Sequence, residues 1–106
     1  MNKILKLLFV GCFLIGNVYA AQGDFTIESI GGSNNTSTVF IETLEEADTE
    51  CSDNKLFRLP DTDKSADRFY SLALAAQAQG KKITIDYSYS GCLQGAVLIN
   101  VFRLRK

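Results

Sequence analysis

The chain contains no histidine, no tryptophan, one proline and three cysteines. Without histidine it lacks the commonest metal ligand and the only side chain whose unperturbed pKa falls between pH 5 and 8. Most familiar metal, acid–base and nucleophile-activating devices are thereby excluded. One proline and eight glycines in 106 residues rule out collagen-like and Pro-rich low-complexity classes. Neither sign of charge prevails, with 11 Lys and Arg against 12 Asp and Glu. Nucleic-acid affinity comes largely from Lys and Arg neutralising phosphates, so no nucleic-acid partner is expected. What remains is 46% hydrophobic and 22% charged residues, the proportions of one small globular domain rather than a disordered chain.

The one long apolar run stands at the start. Lys3 and Lys6 precede Leu7 to Ile15, and Gly16, Asn17, Val18, Tyr19 and Ala20 follow, the three regions of a secretory signal peptide of bacterial type. Val18 and Ala20 put small residues where a signal peptidase reads, which predicts cleavage after Ala20 and a single domain over residues 21–106. A membrane anchor is the alternative. Leu7 to Val18 would span roughly 18 Å as a helix, short of the roughly 30 Å hydrocarbon core, so no membrane insertion is expected after cleavage. A lipoprotein site would use Phe9, Val10 and Gly11 ahead of Cys12, but the usual Leu is missing and the apolar stretch after Lys6 is short. The expected location is secreted or periplasmic. Removing Lys3 and Lys6 leaves nine basic against twelve acidic residues, a net charge of −3.

Cys51 and Cys92 are then the only cysteines, in an oxidising compartment where a pair is most economically a disulfide. A redox pair would need CxxC spacing, and a metal site would need more ligands.

Hydrophobic periodicity places the elements. Asp24 to Ile30 alternates into a first strand that stops at Gly31-Gly32-Ser33-Asn34-Asn35, and Thr36 to Leu44 is dense in β-branched and aromatic residues. The acidic run Glu45, Glu46, Asp48 and Glu50 reads as a solvated loop or strand edge. Lys55 to Leu59 is a short third strand ended by Pro60. Asp61, Thr62, Asp63 and Ser65 are competent N-caps, and Gly80-Lys81-Lys82 is a C-terminal stop, with about four helical turns between them. Ala66, Phe69, Tyr70, Ala73, Ala76 and Gln77 share one stripe, widened by Leu72 and Leu74. Ile83, Ile85 and Tyr87 alternate with polar residues as a strand. Ala96 to Leu104, apolar on both sides, predicts one continuous and deeply buried last strand.

Catalytic motifs are sparse. Asp61, Asp63 and Asp67 lack the Gly and closing Glu of a calcium loop, and Ser71 and Ser90 have no His partner. Gly31-Gly32 is followed by no Lys-Ser/Thr, so it is not a phosphate loop. Asn34-Asn35-Thr36-Ser37 carries glycosylation triplets but reads as a polar loop. A glycosidase-like carboxylate pair, which depends on spatial separation, stays open as a low-weight hydrolase alternative. The expectation is a protein that is not an enzyme and needs no cofactor and no metal. Tyr70, Tyr87 and Tyr89 present flat apolar faces with polar tips. The stretch Tyr87, Ser88, Tyr89 and Ser90 is the candidate ligand-binding site, weighed against ordinary cross-strand packing.

The order strand, strand, strand, helix, strand, strand is that of the OB-fold, so the predicted class is α+β, mainly β with one helix, as a five-stranded barrel. Within that plan, Arg68-Phe69-Tyr70-Ser71-Leu72-Ala73-Leu74-Ala75-Ala76-Gln77-Ala78-Gln79-Gly80-Lys81-Lys82-Ile83-Thr84-Ile85 resembles the helix and following strand of the subtilase-cytotoxin B subunit and its small secreted relatives. Those B subunits form pentameric rings that bind cell-surface sialoglycans. The resemblance implies a non-catalytic module for a glycan or protein partner, able to form a homo-oligomer, and it transfers no sugar-binding residue. A structural or assembly component of the bacterial envelope, pairing through a sheet edge or the small-residue helix, is the alternative.

Overall fold

A computed structural model describes residues 20–105. The expected signal peptide, residues 1–20, lies outside the described residues except for Ala20. The elements run β1 (Ala20–Phe25), β2 (Ile27–Ser33), β3 (Thr38–Thr43), β4 (Asp53–Pro60), α1 (Ala66–Gln79), β5 (Ile83–Ser88), β6 (Cys92–Leu93), β7 (Ala96–Leu98) and β8 (Val101–Leu104). Among the described residues, mainly β with one helix is therefore right.

The five-stranded OB barrel is not what forms. Among the described residues eight strands make two open sheets, one ordered β1-β5-β8 and the other β2-β3-β4-β7-β6, with β4 and β7 parallel and every other pair antiparallel. The expectation drawn from the B-subunit resemblance is corrected with it, because residues 68–85 form the helix, the Gly80 stop and β5 within two open sheets and not within a closed barrel.

Two chain corners divide the sheets. At the first, Thr26 gives its backbone N–H and its hydroxyl to the two oxygens of the Glu45 carboxylate, at 2.6 and 2.7 Å, instead of to a strand. Phe25 and Ile27 are nonetheless both buried, so the chain keeps its dry side while it leaves β1 for β2. At the second corner the Ile99 N–H donates to the Arg58 carbonyl and the Asn100 N–H to the Asp86 carbonyl, one in each sheet. The predicted single strand from Ala96 to Leu104 is thus two strands. Ala96 and Val97 are fully buried, whereas Val101 is 43% exposed, so the most buried strand is not β8. The alternation that predicts a strand reports the buried side but not the hydrogen-bonding partner.

The core lies between the sheets and under α1. Phe25, Phe57 and Tyr87 meet as a triangle, with ring centroids 4.7 Å apart for Phe25 and Phe57 and 6.1 Å for each pairing with Tyr87. Ala66, Phe69, Ala73 and Ala76 are the buried stripe of α1, three of the four small enough to bring the helix backbone close to the sheets. Phe69 fills the remaining depth and meets Phe102 of β8 edge-on at 5.2 Å. Gln77, expected on this stripe, and Leu74, expected to widen it, face solvent instead. The helix begins after Ser65, whose own side chain makes no capping bond, although the Ser65 N–H donates to the Asp63 carboxylate at 2.8 Å. It ends at Gly80 with φ 65°, a left-handed conformation that glycine adopts without a Cβ penalty.

Candidate functional site

The candidate stretch sits where β5 ends. Tyr87, the last inward residue of β5, is only 4% exposed, so it belongs to the core. Its hydroxyl accepts the backbone N–H of Asp48 at 3.1 Å. Ser88 is half-buried under the loop, close enough to Gly91 that a Cβ there would collide with its hydroxyl. Tyr89 and Ser90 lie beyond the ladder and are exposed, Tyr89 by 43%. The structure therefore brings Ser88, Tyr89 and Ser90 together at one surface and sends Tyr87 inward. Tyr70 is half-buried on α1.

This loop is held on several sides. The Gly91 N–H closes a turn onto the Ser88 carbonyl at 3.2 Å, the Glu50 N–H donates to the Tyr89 carbonyl at 3.0 Å, and the Leu98 N–H donates to the Gly91 carbonyl at 2.9 Å. Next to it Cys92 forms the expected disulfide with Cys51, with Cα atoms 5.7 Å apart. The backbone that carries this partly exposed aromatic is held in place before any ligand arrives, which lowers the ordering cost of binding.

The acidic run completes the surroundings, and it is not uniformly solvated. Ala47, Thr49 and Cys51 are buried, Glu46, Asp48 and Glu50 are exposed, and Glu45 is turned back onto Thr26. Burial works to raise the Glu45 pKa, but hydrogen bonds from the Thr26 hydroxyl and backbone N–H, with Lys82 at 3.3 Å, outweigh it and hold the carboxyl down at about 2. That direction suits a structural anchor rather than a general acid, which would need a raised pKa. Among the described residues no group of His, Cys, Asp and Glu is arranged to hold a metal ion, and no helix is long and apolar enough to cross a membrane.

Arg58 escaped the sequence reading. It stands on the outer face of β4, beside Phe40 of β3 and Leu98 of β7, and its guanidinium donates to the Gln94 carbonyl at 2.8 Å and to the Leu93 carbonyl at 3.5 Å. It thereby ties the turn joining β6 to β7, next to Cys92, to the sheet. Its Nε is buried with no partner among the described residues. A lone Arg in a short strand carries no signal of that task, because the carbonyls it serves are 35 and 36 positions away.

No protein-family model, no curated protein and no solved structure matches this chain.

Proposed function

We propose that the protein is an exported, non-catalytic binding module whose contact surface is the Ser88, Tyr89 and Ser90 loop, and that it takes a neutral glycan or a protein partner. The observation that carries this reading is Tyr89, 43% exposed on a loop fixed by backbone bonds and adjacent to a disulfide. A ring carried on such a fixed backbone offers a sugar face or a partner side chain a flat apolar platform, with hydroxyls beside it for hydrogen bonds. Exposed Glu46, Asp48 and Glu50 belong to the segment that bonds to this loop through the Glu50 N–H, so acidic sugars are disfavoured there and neutral ones accepted. The test is glycan-array binding by the protein from Ala21 onward, with Tyr89→Ala beside it. Binding of neutral glycans that the variant loses, at unchanged melting temperature, supports the reading. An array with no signal, or a variant that binds as the parent does, overturns its glycan form.

A second reading, an assembly component, is favoured by one observation. β8 is an edge strand of its sheet and exposes Val101 by 43%. Unpaired edge groups beside an apolar side chain are a template for adding a strand from another chain. Concentration-dependent dimerisation that Val101→Lys abolishes would support it, and a strictly monomeric parent in light scattering would end it. The helix version is weaker, because Ala66, Ala73 and Ala76 are already covered by the protein's own sheets.

A further inference from the structure

At the opposite end of β5 from Tyr89, Asp24, Lys81, Lys82, Thr84 and Arg105 line a surface groove of about 330 Å³. It is built on the outer face of the three-stranded sheet, where Asp24 of β1, Thr84 of β5 and Arg103 of β8 are register partners. The carboxylates of this face are already engaged. Asp24 accepts the Thr84 hydroxyl at 2.6 Å, and Asp86 accepts the Gln22 amide at 2.7 Å and the Arg103 guanidinium at 3.3 Å. Lys82 is drawn toward Glu45 at 3.3 Å, with its side chain still 58% exposed. Lys81 and Arg105 differ from both of these. Neither has a carboxylate within 4 Å among the described residues, and Arg105 makes a single hydrogen bond, to the Gln22 side-chain carbonyl at 3.3 Å.

Three of the basic side chains of an otherwise acidic domain therefore converge on one concave site, two of them uncompensated. We propose that this groove binds a tetrahedral oxyanion, a phosphate or sulfate group, between Lys81 and Arg105, with Lys82 as the third cation. The Arg fork matches two oxygens of such a group, and the Lys supplies a mobile point charge. A bare ion would leave most of the groove empty, so the group is carried on a larger molecule as a phosphate or sulfate ester. Asp24 opposes the anion and limits its affinity. This gives the site a signature that a merely structural charge cluster lacks: removing the carboxylate tightens binding.

The test is an amide-shift titration of the protein from Ala21 onward with inorganic phosphate, sulfate and glycerol 3-phosphate. Ionic strength is held constant with chloride, and vesicles with and without phosphatidylglycerol form a separate arm. Saturable shifts at Lys81, Lys82, Thr84 and Arg105 are expected. They weaken about tenfold or more in Lys81→Gln/Arg105→Gln and strengthen in Asp24→Asn, where the amide still accepts the Thr84 hydroxyl. Glycerol 3-phosphate binding without vesicle binding assigns a soluble ester, and vesicle binding lost in the double variant assigns a lipid headgroup. Shifts reproduced by chloride alone, or a correctly folded double variant that binds like the parent, would overturn the proposal. Should the double variant unfold, Asp24→Asn decides, and weaker or unchanged phosphate binding there overturns the proposal equally.

Discussion

The Tyr87 hydroxyl accepts the backbone N–H of Asp48 at 3.1 Å, so a core ring holds a surface loop in place. The ring packs against Phe25 and Phe57, and its polar end supplies the acceptor that the loop N–H would otherwise lack. Tyr87→Phe keeps the packing and removes the acceptor. The expected cost is about 1 kcal/mol in urea unfolding, with faster amide exchange at Asp48 and no change of fold. An unaltered unfolding midpoint would mean that water replaces the phenol there.

Glu45 sets the pH dependence of the first corner. Its carboxyl is depressed from 4.5 to about 2 in the folded protein, so its contribution is complete above pH 4.5 and is lost as the pH falls from there toward 2. Glu45→Gln should cost about 1 kcal/mol at neutral pH, kept modest because the side chain is a third exposed and screened by water. The variant should also lose less stability than the parent between pH 5 and pH 2. Parallel acid-unfolding curves for the two proteins would remove Glu45 as the anchor.

Ala76 has no exposed surface at all, so added methylenes there would have to enter the core. Ala76→Leu is expected to overpack by about 1 to 3 kcal/mol, whereas Ala78→Leu on the exposed side should stay within about 0.5 kcal/mol. Melting temperatures of the two variants read this difference directly, and equal values would mean the helix is rotated from its present setting.

Closing a loop across 41 positions, the Cys51 to Cys92 bridge restricts the unfolded chain more than the folded one. The Cys51→Ala/Cys92→Ala protein should be less stable by about 4 kcal/mol in the chain-entropy account. Its Tyr89 loop should also exchange amide protons faster. A double variant as stable as the parent would show that the backbone bonds at Glu50, Gly91 and Leu98 suffice.

Tyr89 is the matching surface control. Because it is 43% exposed, Tyr89→Ala should change stability by less than about 0.5 kcal/mol, in contrast to the loss from truncating Tyr87, about 3 kcal/mol or more. A large loss at Tyr89 would place its ring in the core and end its role as a contact residue.

The helix, its glycine stop, the disulfide pair and the strands centred on Ile41, Phe57 and Ile85 could be read from the chain. Each depends on local periodicity, a cap, or the counting of cysteines. The two-sheet arrangement could not. At Phe25-Thr26-Ile27 the alternation passes through a corner unbroken, and only the distant Glu45 reveals that Thr26 has left the ladder. At Ile99-Asn100 the sequence stays apolar on both flanks while the hydrogen bonds change sheets. That one ring of the Tyr87 and Tyr89 pair reaches the surface was legible, but which of the two was not. The end of the strand at Ser88 separates their fates, and period two places both rings on one side. Lys81 and Lys82 read as a helix stop, and their convergence with Arg105 depends on β8 lying beside β5.

The pairing of β1 with β5, from Ala20 opposite Ser88 to Phe25 opposite Ile83, joins the first described strand to one that four other elements separate from it along the chain. A chain made from its N-terminus forward therefore presents β1 long before its partner exists, with the backbone groups of that strand unsatisfied in the interval. The β2-β3 hairpin, whose strands follow one another closely, is free to close early. Completion of the three-stranded sheet accordingly waits on a long-range closure, the kind of contact that slows folding, and the interval before β5 arrives is when misassociation is most to be expected.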